Sequence, residues 1–244
     1  MDKIKDFTNL KDVLDNPLSF INTDDKEEIC RLIPDLYKKI AKMLFEKYDI
    51  RIYDSKGEKH LYSFAEVEFY YHKEGILDRD VDNCVYPRTC DAEKFLWHDT
   101  GVDICFKSDT DIDDFYFGGI LIRSLIDNKN GCIIGGPGRC ANELAFSIKA
   151  GDTPQLCLKE EEIKVELCST IRQGIDCDVD KNGKAKVEYC YFISQKNWSR
   201  KKTALKKNSD FSGYVREMVY NNYNENPQSN RIEKLMKSRM KKKK

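Results

Sequence analysis

One stretch of alternating residues constrains the fold of this chain more than any other feature. In residues 65–72 (Ala-Glu-Val-Glu-Phe-Tyr-Tyr-His), apolar or aromatic side chains at every second position point to one face of an extended chain. The opposite face carries four polar side chains: Glu66, Glu68, Tyr70 and His72. This pattern predicts a β-strand with one core face and one face that gathers carboxylate, phenol and imidazole groups.

A second run, residues 118–125, is apolar almost throughout and contains a single charge, Arg123. Such a run is typical of a buried strand. An arginine in a buried strand requires a carboxylate or phosphate partner, because a buried unpaired charge is costly. We therefore predict that Glu68 and Arg123 meet, and that their meeting point is the centre of a functional site.

Composition limits the class of protein. The chain has 244 residues, of which 40% are hydrophobic and 34% charged, as in one globular domain with charged extensions. No window approaches eighteen consecutive apolar residues, and residues 1–6 lack the apolar segment of a signal peptide, so we expect an intracellular protein without membrane contact. The ten cysteines include no C-x-x-C pair. We expect them to be reduced, and we predict no metal centre.

Apolar spacing and turn residues indicate a mixture of helices and strands. A helix is predicted from residue 25 to about residue 47, capped by Thr23 or Asp24 and kinked or divided at Pro34. The other predicted elements are strands at 50–53, 59–72, 101–106 and 118–125, hairpin turns at 54–57, 128–131 and 182–183, and a helix over 140–146. Residues 73–94 are polar and irregular, as in a functional or mobile loop.

The net charge of zero conceals a dipolar layout. Residues 197–244 contain 14 Lys and Arg against 4 Asp and Glu, a charge of +10, which leaves −10 on residues 1–196. A basic segment on an acidic body suggests a phosphate-bearing partner, with Arg200, Lys201 and Lys202 as candidate contacts. Arg139, at the glycine-rich start of the second helix, is another candidate. The alternative is a solvated lysine tail that aids solubility.

Four short motifs, in this order, resemble the alkyladenine (3-methyladenine) DNA glycosylase family. They are Glu-Val-Glu-Phe-Tyr (66–70), Leu-Ile-Arg (121–123), Gly-Pro-Gly-Arg with a helix that ends in Glu-Leu (136–144), and Ile-Arg-Gln-Gly-Ile (171–175). The likeness covers roughly residues 60–195. Each motif is short, and their order is the stronger signal.

The resemblance implies a single α+β domain built on a curved, mainly antiparallel sheet with flanking helices, without metal or cofactor. It also implies a monomer that binds double-stranded DNA and hydrolyses the N-glycosidic bond of a flipped-out modified purine. In that scheme Glu68 activates the water, Arg123 helps to hold it, and Tyr70 stacks on the base. The domain would consist of a core at 50–196, with an N-terminal helical segment at 1–49 packed on it and a basic extension at 197–244.

The chain also departs from the family pattern. The family has a tyrosine-rich run followed by a tyrosine that wedges into the duplex, whereas this chain has Phe95-Leu96-Trp97 followed by His98. Trp97 is a candidate for stacking on the base, but the wedge is missing. Asp103 stands at the position of a pocket asparagine and adds negative charge, and His72 and His98 are imperfect counterparts of the family's histidine.

The chemistry of these residues fits such a reaction. Cleavage of a glycosidic bond develops positive charge on the sugar, and a carboxylate beside it both stabilises that charge and accepts a proton from water, a general-base effect of about 10²–10⁴-fold. Three alternatives stay open: a module that binds nucleic acid or nucleotide without cleavage, a hydrolase of another N-glycoside, and a buried Glu68–Arg123 ion pair without catalysis.

Overall fold

The computed structural model describes residues 3–73, 75–76, 85, 88–98, 100–108, 116–172, 175 and 187–193. The helical elements are α1 (Leu10–Asp15), a 3-10 helix (Pro17–Phe20), α2 (Lys26–Lys47) and α3 (Pro137–Ser147). The strands are β1 (Tyr48–Tyr53), β2 (Lys59–Lys73), β3 (Phe95–His98), β4 (Gly101–Cys105), β5 (Tyr116–Asp127), β6 (Cys132–Gly135), β7 (Gln155–Leu158), β8 (Leu167–Thr170) and β9 (Cys190–Ile193).

The nine strands of the described residues form one sheet, and every pairing in it is antiparallel. The main order is β3-β4-β5-β2-β1-β7, with β6 added to β5 and with β9 between β2 and β8. This sheet is curled into a half-barrel, and few helices accompany it. The prediction of an α+β fold around a curved antiparallel sheet is confirmed at this level.

Strand β2 is the centre of the sheet. It pairs with β5 along most of its length on one side, and with β1 and then β9 on the other. Register shifts on both sides of the Glu66–Ser124 pair leave Ala65 of β2 and Arg123 of β5 without a directly opposite residue. Bulges of this kind bend a strand and increase its twist, so the sheet curls at the place where Arg123 leaves it.

Helix α2 covers the inner face of the sheet. Its N-cap is Asp25, whose side chain accepts hydrogen bonds from the N–H groups of Glu27 and Glu28. The cap therefore lies one or two residues beyond the predicted Thr23 or Asp24, because the Asp25 carboxylate is the group that reaches these donors. The helix is not divided at Pro34, which lies inside it.

The inner face of β2 packs into the main apolar core together with α2. Val67, Phe69 and Tyr71 are at most 1% exposed there, and the Phe69 ring stacks on Tyr37 of α2 with the ring centroids 4.5 Å apart. The alternation predicted for residues 65–72 is thus present on its apolar side. None of the described helices has the length and apolar character that a membrane crossing needs.

Both of the hairpin turns that lie in the described part of the chain, at 54–57 and 128–131, join antiparallel strands as predicted. Strands β7 and β8 were not predicted, because their four-residue segments lack a clear apolar alternation. The predicted turn at 182–183 and the basic extension at 197–244 lie outside the described residues.

Candidate functional site

The outer face of β2 carries a buried carboxylate, Glu68, which is 1% exposed. The Tyr70 hydroxyl donates a hydrogen bond to its Oε2 atom at 2.7 Å, and Nη1 of Arg123 lies 3.2 Å from both carboxylate oxygens. The structure therefore brings Glu68, Tyr70 and Arg123 together, although Arg123 is 55 residues away along the chain. Two donors hold this carboxylate in one orientation.

Arg123 reaches Glu68 from the bulge in β5. Its Nε atom also lies 3.4 Å from Oε1 of Glu66, while the Ser124 hydroxyl donates to Oε2 of Glu66 at 2.7 Å. Burial alone would lower the pKa of Arg123, but the carboxylates of Glu68 and Glu66 raise this pKa above its ordinary value. The guanidinium thus stays charged between two glutamates, one buried and one with a side chain that is 29% exposed.

The Tyr70 side chain is enclosed as well. The guanidinium of Arg172 lies 4.8 Å from the centroid of the Tyr70 ring and donates a hydrogen bond to the Phe69 carbonyl at 3.1 Å. Burial, and next the negative charge of Glu68, raise the pKa of the Tyr70 phenol. The phenol therefore stays protonated and donates to Glu68 throughout the physiological pH range.

A second buried carboxylate, Asp103 of β4, lies on the same face. It accepts from Nη1 of Arg88 at 2.7 Å, and its other oxygen lies 3.0 Å from Nε2 of His98. Burial alone would raise the pKa of Asp103, but its interactions with His98 and Arg88 lower it to about 2. The negative charge that the sequence places at Asp103 is therefore balanced within the site.

His98 is held from its other side by Thr100. The Thr100 hydroxyl lies 2.9 Å from Nδ1 of His98, and the Thr100 backbone N–H donates to the same nitrogen at 3.4 Å. A backbone N–H can only donate, so Nδ1 accepts and Nε2 carries the proton that points to Asp103. This arrangement fixes the orientation of the imidazole.

Gly119 of β5 makes room for Arg88. A Cβ atom at this position would lie 2.4 Å from Nη1 of Arg88 and 2.8 Å from Oδ2 of Asp103, closer than real Cβ contacts allow. The absence of a side chain at Gly119 therefore lets Arg88 approach the strand closely and reach its carboxylate.

The two carboxylates are arranged in one row across the sheet. Leu121 of β5 is paired with Glu68 on one side and with Asp103 on the other. Residues opposite each other in antiparallel strands are about 5 Å apart, so Glu68 and Asp103 lie about 10 Å apart on one face. Leu121, which is 6% exposed, separates them.

The remaining candidate residues lie in different places. Trp97 pairs with Val102 and belongs to the main core, on the face of the sheet opposite to Glu68, so it does not line this site. His72 is on the same face as Glu68, buried against the Phe117 ring, and lies about 13 Å further along the strand. Arg139 is exposed in the first turn of α3. The candidate phosphate contacts of the basic extension are outside the described residues: Arg200, Lys201 and Lys202.

Sequence reasoning missed the role of Arg88 and did not single out Arg172. Arg88 lies in the irregular segment 73–94, where neither helical nor strand periodicity applies, and it is 1% exposed. The sequence contains one indirect signal. Asp103 is a carboxylate in a predicted strand, and it needs a cationic partner if that strand is buried. Arg172 is 0% exposed, and only its place in the motif at 171–175 pointed to it.

A group with metal-ligand character lies elsewhere, in the turn between β1 and β2. The ligand atoms of Asp54, Glu58 and His60 all lie within 4.8 Å of one another. Asp54 Oδ1 accepts hydrogen bonds from the backbone N–H groups of Lys56 and Glu58, so this carboxylate already has a structural role in the turn.

The four motifs of the family resemblance meet in space. Residues 66–70 and 121–123 supply the Glu68–Arg123 pair, and Arg172 and Ile175 of the motif at 171–175 pack on or beside Tyr70. The motif at 136–144 begins beside Arg123, whose carbonyl accepts from the Gly136 N–H at 2.7 Å. In comparisons with known proteins, no family model, curated protein or solved structure matches the chain.

Proposed function

We propose that this chain is a monofunctional DNA glycosylase of the alkyladenine type, which hydrolyses the N-glycosidic bond of a flipped-out modified purine. The observation that supports the proposal is the buried Glu68 carboxylate, which Tyr70 and Arg123 hold from two separate motifs, while the other two motifs contact Tyr70 and the backbone of Arg123. Perturbed and buried ionisable groups cluster at functional sites more than elsewhere, although structural ion pairs also produce them. The glycosylase-like fold and the intracellular location are part of the same proposal.

Glu68 is the general base in this scheme. Its carboxylate accepts a proton from a water molecule as the water oxygen attacks C1′ of the sugar, while the bond from C1′ to the purine breaks. Arg123 and Tyr70 both donate hydrogen bonds to this carboxylate and hold it in one orientation. The negative charge also stabilises the oxocarbenium character of the transition state.

Entry of a base requires a local rearrangement. Glu68 is 1% exposed, and Arg172 occupies a face of the Tyr70 ring. A purine that stacks on this face of Tyr70 has to displace the guanidinium, and stacking on an aromatic ring contributes about 1–3 kcal/mol per base. The lack of a wedge tyrosine after Trp97 favours the second candidate function, a module that binds nucleic acid without cleaving it.

Base release from defined oligonucleotides tests the proposal. Duplexes that carry hypoxanthine, ethenoadenine or a methylated purine are incubated with the protein, and free base is measured by chromatography. We expect release by the native protein and a loss of at least about 100-fold in Glu68→Gln. Glu58→Gln, an exposed glutamate in the β1–β2 turn, is the matched control.

Two other outcomes identify the alternatives. Tight binding without release of any base would assign the chain to the non-cleaving modules. Release from free nucleosides alone would assign it to the hydrolases of another N-glycoside.

Salt dependence tests the DNA partner. Phosphate contacts release counterions, so DNA affinity should fall steeply as the salt concentration rises. We expect removal of residues 197–244, which include Arg200, Lys201 and Lys202, to flatten this dependence, and substitution of Arg139 to flatten it less. An unchanged slope after the truncation would contradict the role of the basic extension.

A further inference from the structure

A second concavity lies on the outer face of the sheet, at the end of β2 remote from Glu68. It has a volume of about 390 Å³ and is lined by residues of β1, β2, β7 and the segment that follows β7. None of the residues discussed above as candidates for the glycosylase site lines it. The concavity is therefore separate from the proposed glycosylase site.

The floor of this concavity is a closed ionic network. The Asp49 carboxylate, 5% exposed, pairs with the ammonium group of Lys159 and accepts hydrogen bonds from Ser63 at 2.7 Å and from Asn128 at 3.0 Å. Lys159 also donates to the Ser63 hydroxyl at 2.7 Å. Because Asp49 and Lys159 neutralise each other, the floor contributes no net charge.

Arg51 supplies a hydrogen-bond donor that has no acceptor. Its Nη2 atom donates to the side chain of Gln155 at 2.7 Å, and its guanidinium lies 5.8 Å from the Tyr53 ring centroid. Its Nε atom is buried and has no hydrogen-bond partner among the described residues. Nη1 has no hydrogen-bond partner among the described residues either and, unlike Nε, is accessible, so an acceptor oxygen from a ligand would satisfy this donor. Lys59 adds a second cationic group to the lining.

The rim of the concavity is apolar. Leu158 and Ile163 are 68% and 46% exposed, two of the three large hydrophobic residues that the described surface exposes most, and both line this concavity. Glu160 and Glu161 also line it and are exposed. These two carboxylates equal the charge of Arg51 and Lys59, so the lining has no net charge, and they would repel a ligand that carries several negative charges.

We propose that this concavity binds a small amphipathic monoanion, an organic carboxylate or sulfonate whose acidic oxygens reach the guanidinium of Arg51 and whose apolar body lies against Leu158 and Ile163. Ligand sites in proteins commonly combine such apolar walls with a few converging polar groups. Arg51 orients the acid through a charge-assisted hydrogen bond. The site is independent of the proposed glycosylase activity.

Fluorescence titration with 8-anilinonaphthalene-1-sulfonate, a monoanion with an aromatic body, tests the proposal on the full chain. We expect saturable binding that weakens about tenfold in Arg51→Gln, equivalent to about 1.4 kcal/mol. Leu158→Ser, at a mostly exposed position, should weaken binding as well and provides a second test if Arg51→Gln lowers the melting temperature. Arg31→Gln, an exposed arginine of α2, is the matched control and should bind the probe as the native chain does.

Competition separates the acid from the apolar body. Octanoate should displace the probe, and octanol at the same concentration should not. The proposal is overturned if the probe does not bind saturably, if Arg51→Gln and Leu158→Ser bind it as tightly as the native chain, or if octanol competes as well as octanoate.

Discussion

The two faces of β2 are buried to nearly the same extent but are built on different principles. On the inner face, Val67, Phe69 and Tyr71 are at most 1% exposed, and on the outer face Glu68 and Tyr70 are 1% and 8% exposed. The inner face is stabilised by apolar area and packing, which need shape but no specific partner. The outer face carries charges whose desolvation is costly unless each one is paired.

This difference supports the proposal that the outer face is the functional one. Apolar residues of similar volume would stabilise an ordinary core at least as well as a buried ion pair does. A strand that instead buries a carboxylate with an arginine and a phenol has the features expected of a functional surface. The inner face should therefore respond to changes in volume, and the outer face to changes in charge pairing.

The largest expected effect is on the inner face. Phe69→Ala removes a fully buried ring that stacks on Tyr37 and packs edge-on against Tyr191. We expect a loss of about 3–5 kcal/mol in the free energy of unfolding, measured by urea denaturation. Tyr53→Ala, at a residue that is 39% exposed, is the control and should cost much less. Equal losses in the two variants would contradict the packing role of this face.

On the outer face, Arg123→Met should lower the stability, and adding Glu68→Leu to that variant should raise it again. Arg123→Met leaves the Glu68 carboxylate buried without its cationic partner, so we expect a loss of roughly 3 kcal/mol. Adding Glu68→Leu removes the orphaned charge and should restore much of that stability. Glu68→Leu is also measured in the native chain. If it lowers the free energy of unfolding by the same amount in the native chain and in Arg123→Met, the two groups are not energetically coupled.

Gly119→Ala tests the close approach of Arg88 to the sheet. The added methyl group would collide with Arg88 and Asp103, so we expect a loss of about 1–3 kcal/mol by urea denaturation. Gly135→Ala in β6 is the matched control, because the nearest atom to a Cβ atom there is the Ser124 hydroxyl oxygen at 4.0 Å. Similar losses at both glycines would show that the effect arises from strand glycines in general.

The smallest expected effect is a loss of folding stability at low pH. The pKa of Asp103 is about 2 in the folded chain and 3.8 ordinarily, so its pairing adds stability that is present above pH 3.8 and lost as the pH falls through about 2. The lowering corresponds to about 2 kcal/mol at most. We expect the difference in unfolding free energy between the native chain and Asp103→Asn to narrow over this pH range. A difference that stays constant would exclude Asp103 as the titrating group.

Several elements of the fold are predictable from the sequence alone. The helix at residues 26–47, the β1–β2 and β5–β6 hairpins and the two faces of β2 follow from local periodicity and turn residues, and the structure contains all of them. The Glu68–Arg123 contact followed from the need of a buried charge for a partner. Trp97 is a stacking candidate only through the family resemblance, and its strand of four residues is too short for alternation to place it on the core face, where the structure has it.

The sequence by itself determined which residues alternate, where the chain turns, and that an arginine in an apolar strand requires an acid, because these properties depend on neighbouring residues and on the cost of unpaired charge. Only the tertiary structure decided that Arg88 pairs with Asp103 above Gly119 and that Arg172 covers Tyr70. Those contacts join segments whose spacing in the chain carries no periodic signal. Their geometry depends on the bulges that curl the sheet, which no local pattern specifies.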